Sequence, residues 1–339
     1  MTGAACNQGS PGVRRCYCPE QAGPRTGIAS GERRTAMELG IIGLGRMGSN
    51  MAQRLLGGGH RVLVYDRVTE AVEAMVKRGA IGASSIKEMI GQLAVPRAVW
   101  LMVPAGEATE STLDALAANL SPDDIVVDGG NSNYKDSMRR AAFLAGKRIH
   151  FLDVGTSGGI WGLSEGYSLM VGGELEAYRR LEPVFKTLAP ASDKGYGYVG
   201  PSGAGHFVKM IHNGIEYGLM QAYAEGFELM QAKREFNLNL AQVAEIWRYG
   251  SVVRSWLLDL AAAALQEDAE LENIQAYVED SGEGRWTVQE SIELGVPVPV
   301  IAQSLQARFR SRQEQPFGAR MLAALRNQFG GHATREVKK

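Results

Sequence analysis

The chain has 339 residues, 45% of them hydrophobic, with 36 basic against 37 acidic side chains and a formal net charge of −1. That length and apolar content predict two domains with substantial cores. The near balance of charge speaks against a general nucleic-acid or anionic-membrane binder, whose basic surplus would be visible. No stretch reaches the ~18 uninterrupted apolar residues of a bilayer span, so a soluble chain of cytoplasmic type is expected, and any anionic ligand must be met by a few local side chains.

Residues 1–36 read as a disordered extension. They are rich in Gly, Pro, Ser and Arg, lack the apolar segment of a secretory signal, and end just before Met37, which opens the first strand-like run. All three cysteines, Cys6, Cys16 and Cys18, lie in this extension. A disulfide framework for the rest is thereby excluded, which fits a reducing cytosol. Their spacing matches no zinc pattern, and no metal is expected.

From Glu38 the pattern alternates between strand and helix. Leu39–Ile42 reads as a buried strand, Met47–Leu56 as a helix, Arg61–Tyr65 as a second strand, and a helix-period stretch follows from Thr69. Ala98–Val103 and Ile125–Asp128 read as further strands around a helix from Glu107 to Ala118. This predicts an α/β, Rossmann-type, doubly wound parallel sheet with crossover helices on both faces, over residues 37–199. After Gly200 a helical pattern runs from Gly203 to Ala232, followed by helical stretches at Leu240–Trp247, Val253–Leu265 and Pro299–Phe309. Residues 200–334 are therefore expected to form a smaller all-α domain for substrate binding and oligomerisation, with 335–339 as a tail.

Gly43-Leu44-Gly45-Arg46-Met47-Gly48 is a G-x-G-x-x-G between the first strand and first helix. Gly43 permits the tight turn, Gly45 lets backbone approach a pyrophosphate, and Gly48 lets helix and strand pack closely. The helix N-terminus then meets the phosphates. Asp66 ends the second strand 18 residues after Gly48. An acid there accepts from the ribose hydroxyls of NAD and repels the extra phosphate of NADP, while Arg67 partly offsets that repulsion. NAD is the expected cofactor, with weaker use of NADP.

The densest chemistry lies between Gly203 and Gly218. On a helix, Lys209, Asn213 and Glu216 fall at i, i+4 and i+7 and share one face. The stripe reads either as a solvated polar face with a Lys–Glu pair or as a site that addresses one ligand. Flanking apolar residues and four glycines, at 203, 205, 214 and 218, favour the second reading. His212 taken alone fits a core histidine as well as a site residue.

This stretch resembles the catalytic helix of the 6-phosphogluconate dehydrogenase family. Other matches follow in family order: Asp128-Gly129-Gly130-Asn131-Ser132, Ser157-Gly158-Gly159, Ser168-Leu169-Met170, Gly284-Arg285-Trp286-Thr287, Ala307-Arg308 and Arg326–His332. The resemblance implies oxidation and decarboxylation of a phosphorylated sugar acid. Lys209 is implied as the general base that later polarises the carbonyl oxygen, and Glu216 as the acid that protonates the first carbon. Asn131, His212 and Asn213 would orient substrate, with Ser157, Gly158 and Gly159 at its carboxylate end. Val103 and Asn131 would also contact the cofactor.

The likeness is to the short, NAD-preferring branch. Asp66-Arg67-Val68 stands where the longer NADP-using form has Asn-Arg-Thr, Pro104 replaces a lysine, and Ser281 replaces a phosphate-holding lysine. Tyr217, Arg285, Arg308 and Arg326 are then implied to hold the phosphate. Arg326 and His332 would come from the tail of a neighbouring copy, completing its site. The alternatives are a 3-hydroxyisobutyrate-type dehydrogenase, which shares the Rossmann start, a Ser-Gly-Gly turn and a helix lysine, and a non-catalytic NAD-sensing protein on the same fold.

Overall fold

The computed structural model describes residues 36–335. Residues 1–35 of the expected extension, its three cysteines and all but the first residue of the expected tail lie outside the described residues.

The first half alternates strands and helices: β1 (Glu38–Ile42), α1 (Arg46–Gly57), β2 (Arg61–Tyr65), α2 (Thr69–Val76), β3 (Ile81–Gly82), α3 (Ile86–Gln92), β4 (Ala98–Leu101), α4 (Glu107–Ala117), β5 (Ile125–Asp128) and α5 (Tyr134–Ala145). Then come β6 (His150–Ser157), α6 (Gly162–Glu165), β7 (Ser168–Gly173), α7 (Leu175–Leu188) and β8 (Tyr196–Gly200). The eight strands form one sheet in the order β3-β2-β1-β4-β5-β6-β7-β8.

Both faces of this sheet are buried, and the strand residues divide between them with period 2. Val62, Val64, Ala98 and Trp100 pack into one core with Met51 and Leu55 of α1 and Val184, Phe185 and Leu188 of α7. Leu63, Val99 and Leu101 pack into the other with Met89 and Ile90 of α3 and Leu113 and Leu116 of α4. Strands covered on both sides carry continuous apolar runs, which is why Ala98–Leu101 and Ile125–Asp128 were readable without alternation.

Two strands depart from the expected all-parallel sheet: β7 and β8 run parallel to each other and opposite to β1–β6. β7 runs antiparallel to β6, pairing Ser157 with Ser168 and Leu152 with Gly173. The link between them, residues 158–167, holds only a single 3-10 turn and the four-residue α6. A parallel return needs a crossover of roughly a dozen residues or more, so this shorter link turns the chain back on itself. Helix starts also shift where side chains cap them. The helix expected from Val253 begins at Trp256, because Ser255 Oγ accepts from Leu258 N at 3.1 Å. The strand expected to reach Val103 ends at Leu101.

The second half is helical: α8 (Ala204–Ala232), α9 (Leu240–Trp247), α10 (Trp256–Glu267), α11 (Glu283–Glu293), α12 (Pro299–Ser311) and α13 (Phe317–Gly330). Its 29 residues make α8 about 44 Å long. The N-terminal part packs on β6, β7 and β8, and α11 and α12 pack on the same helix. Thr287 Oγ1 of α11 donates to Met210 O at 2.9 Å. A Cβ on Gly214 would come within 2.8 Å of Thr287 Cγ2, so the glycine permits this approach. The Arg326–His332 segment, expected as a tail, is largely helical: Arg326 lies on α13, which buries none of its residues.

Candidate active site

Two cavities meet at the end of the sheet. The first, of about 1120 Å³, is lined by Gly43, Gly45, Arg46, Met47 and Gly48 of the glycine loop, Asp66 and Arg67 after β2, Val103 after β4, and Asn131 after β5. Gly43 has φ +95° and its missing Cβ leaves room for Met102 O. Gly48 abuts Gly43 O, so neither position tolerates a larger side chain. Leu44, the remaining loop residue, is 5% exposed and packs into the core. Its contribution is the backbone: Leu44 N donates to Asp66 Oδ2 at 2.5 Å, and Val68 N to Asp66 Oδ1 at 2.8 Å. The acid expected to read ribose thus also ties the glycine loop to the end of β2.

This cavity fits a dinucleotide. The N-cap of α1 is Gly45, no side chain caps it, and no acidic residue occupies the first turn. Among the described residues the helix therefore presents its first N–H donors and positive dipole with no side-chain acceptor in place, a setting for phosphate.

The second cavity, of about 950 Å³, is lined by Asn131, Ser157, Gly158, Gly159, Lys209, His212, Asn213 and Glu216. Asn131 and Met47 line both cavities, so these two residues mark the junction. The helical spacing of α8 brings its polar stripe together as expected. Lys209 Nζ lies 3.4 Å from His212 Nδ1, which is 3.0 Å from Asn213 Oδ1 and 3.8 Å from Glu216 Oε2. On the other ring edge, His212 Nε2 lies 3.4 Å from Ser157 Oγ. An unprotonated Nδ1 accepts from Lys209, and a protonated one donates to Asn213.

Lys209 is only 7% exposed. Burial pushes its ammonium below the ordinary lysine value, against the opposing pull of the carboxylates of Glu216 and Glu283. Glu216, at 40% side-chain exposure, stands at the open side of the cavity. One face of one helix thus offers an amine biased toward neutrality and a carboxyl open to solvent.

None of the implied phosphate residues, Tyr217, Arg285, Arg308 or Arg326, lines this cavity. The Tyr217 hydroxyl accepts from Ser281 N at 3.0 Å and pairs with Ser281 Oγ at 3.1 Å. Arg308 lies over the Tyr217 ring, 3.6 Å from its centroid, and donates to Glu279 O at 2.8 Å. Arg285 is turned to Asp280, with Nε 2.5 Å from Oδ2 and a terminal nitrogen 3.1 Å from Oδ1. The carboxyl of Asp280, also held by Arg312, is kept well below the usual carboxylate range. Arg326 and His332 are exposed and line neither cavity of their own chain.

Three further residues went unread in the sequence. Glu283, 3% exposed, lines the first cavity and leaves Oε2 without a hydrogen-bond partner among the described residues. Arg140 of α5, 1% exposed, donates to Asp128 Oδ2 at 2.9 Å and to Ser132 Oγ at 2.7 Å, bracing the loop that carries Asn131. Asp153 lies fully buried in β6. A charged residue inside the apolar runs of β5 and β6 was the available signal for the last two.

The family model described as the NAD binding domain of 6-phosphogluconate dehydrogenase matches residues 38–200. The model for the 6-phosphogluconate dehydrogenase C-terminal domain matches residues 205–333. The chain is 48% identical, over 87% of its length and 98% of the relative's, to an NAD(+)-dependent, decarboxylating 6-phosphogluconate dehydrogenase of Haloferax volcanii. Among solved structures, a Plasmodium falciparum 6-phosphogluconate dehydrogenase superposes with a TM-score of 0.76 at 30% identity, covering 86% of this chain and 65% of that longer one. A Mycobacterium tuberculosis 3-hydroxyisobutyrate dehydrogenase superposes with a TM-score of 0.67 over 86% of this chain and 100% of that one, but at 20% identity, a likeness of fold alone. With both domain models matched in order and nearly the whole of a close relative covered, the chain belongs to the 6-phosphogluconate dehydrogenase family.

Proposed function

We propose that the protein oxidises and decarboxylates 6-phosphogluconate to ribulose 5-phosphate and carbon dioxide, with NAD as the oxidant. The observation that carries this reading is the shared cavity. Lys209 and Glu216 line one space, and Asn131 joins that space to the dinucleotide cavity.

NAD bound along the glycine loop and Asp66 supplies the oxidant for the third carbon of the substrate. Neutral Lys209 takes the proton of the third-carbon hydroxyl, which its burial prepares it to do. The resulting ammonium faces the new carbonyl oxygen and stabilises the negative charge that builds there as carbon dioxide leaves. Glu216 then delivers a proton to the first carbon of the enediol left by decarboxylation, and its exposure lets it regain one from water. Lys209 releases its proton to solvent as Glu216 regains one, so the proton taken from the hydroxyl balances the one delivered to carbon and both groups return to their starting states. Ser157, Gly158, Gly159, His212 and Asn213 hold the carboxylate end and the hydroxyls. Tyr217 and Arg308 are the side chains proposed for the phosphate, with Ser281 beside them.

The site takes its last cations from a second copy of the chain. Phe317, Met321 and Leu325, spaced four apart on α13, are exposed, as are Arg326 and His332 beyond them. Docking of this helix on a neighbouring subunit buries the apolar stripe and delivers Arg326 and His332 to that subunit's phosphate end. No described helix is long and apolar enough to cross a membrane, and the proposed setting is the cytoplasm.

Glu216→Gln separates this reading from a simple hydroxyacid dehydrogenase. Turnover of 6-phosphogluconate is expected to fall steeply, because the product's first carbon loses its acid. Undiminished turnover would favour the simpler chemistry.

A further inference from the structure

Residues two apart on a strand share a face, and three such residues of β6 meet α8 at successive heights. Asp153, fully buried, accepts from Gly203 N at 2.7 Å through Oδ1 and from His206 N at 2.9 Å through Oδ2. Gly155 lies against Lys209: a Cβ there would overlap the lysine's own Cβ and come within 2.6 Å of Gly205 O. Ser157 Oγ reaches His212 Nε2 at 3.4 Å.

The cap is unusual in its source. The N-cap of α8 is Gly203, which has no side chain to accept from the first turn. Asp153 supplies the acceptor from a different element, and its charge meets the positive end of the helix dipole. Room for the carboxylate comes from Gly172 of β7, where a Cβ would lie 2.8 Å and 2.9 Å from its two oxygens. No ion pair to Asp153 occurs among the described residues.

We infer that Asp153 is a positioning residue for the reaction: its carboxylate pins the N-terminus of α8 to β6 and so sets the depth at which Lys209 enters the substrate cavity. This rests on Lys209 being the base. The carboxylate acts as an acceptor at both oxygens. An asparagine in its place sets an amide donor against one backbone N–H, so one of the two bonds is lost and the helix start is freed to shift. A displacement of about 1 Å at a reacting group costs on the order of a hundredfold in rate.

The test uses full-length Asp153→Asn, Gly155→Ala and Lys209→Met beside the unaltered protein. Turnover of 6-phosphogluconate with NAD and the number and affinity of NADH sites, read by fluorescence titration, are measured for each. The expected result for Asp153→Asn is a kcat lowered about 10- to 100-fold with NADH binding unchanged. Gly155→Ala, which removes no hydrogen bond but pushes on Lys209, is expected to split the same way. A kcat equal to that of the unaltered protein, or a loss of kcat matched by an equal loss of NADH sites, overturns the inference. If Asp153→Asn does not fold, Gly155→Ala decides by the same two criteria. Activity in Lys209→Met would instead overturn the assignment of the base, a separate failure read in the same assay.

Discussion

Asp128 and Asp153 are register partners on the adjacent parallel strands β5 and β6, both buried, and each carboxylate anchors a different half of the site. Asp128 accepts from Gly130 N at 3.1 Å, from Ser132 Oγ at 2.7 Å and from Arg140 at 2.9 Å, and so fixes the loop of Asn131. Asp153 fixes the helix of Lys209. The cofactor and substrate sides are thereby referenced to neighbouring positions in one sheet.

Arg140 is the cation that balances Asp128, and it also bonds Glu110 of α4 at 2.9 Å. Arg140→Met leaves a buried carboxylate without its partner. The expected cost is about 3 kcal/mol or more of folding stability, read as a lower urea midpoint. The double variant with Asp128→Asn should recover part of that loss. A single variant as stable as the parent would show that the pair does not hold the loop.

The pH dependence of kcat/KM carries the sign of the Lys209 environment. With Lys209 as the proposed base, the neutral amine is the reactive form, so the acid limb is expected to follow it and to lie below the ordinary lysine range, because burial disfavours the ammonium. Glu283 opposes that shift by favouring the charged form. Glu283→Gln removes the opposition, lowers the lysine pKa further, and should move the acid limb to lower pH. A limb that stays in place or moves upward would contradict the geometry.

With Asp66 proposed to face the ribose, it is expected to set cofactor choice. Its replacement by Asn removes the negative charge that faces a 2′-phosphate, while Arg67 remains on the same cavity wall. The ratio of kcat/KM for NADP to that for NAD is expected to rise about tenfold, the equivalent of one charge-assisted hydrogen bond. An unchanged ratio would place discrimination elsewhere.

Truncation before Arg326 should remove most turnover while leaving NADH binding intact, since α13 covers neither cavity of its own chain. Full activity in the truncated protein would refute delivery of Arg326 and His332 by a second copy.

The parts of this molecule legible in the sequence are those written as short local patterns. The glycine loop, Asp66 and the Lys209–Glu216 stripe each follow from spacing on one strand, turn or helix. The strands β2 and β5 and the helix α9 were bounded correctly because apolar runs and polar breaks coincide there. What stayed hidden depends on which distant segments meet. Nothing near Arg285 told whether its guanidinium faces a phosphate or Asp280. Arg140 reads as one more charge on an amphipathic helix until Asp128 is seen beneath it. Glu283 opens α11 and looks like a helix-start acid, yet folding buries it beside the dinucleotide cavity. The reversal of β7 follows from the length of a link whose endpoints were not visible in the pattern.

The central claim, that one cavity oxidises and then decarboxylates a single metabolite, is tested most directly by a balance sheet of products. Purified protein is given 6-phosphogluconate with NAD, and reduced nicotinamide and released carbon dioxide are followed together. Equal amounts of the two, formed at the same rate and both abolished in Lys209→Met, are predicted. Reduced nicotinamide formed without carbon dioxide, or neither product at any substrate concentration, would contradict it.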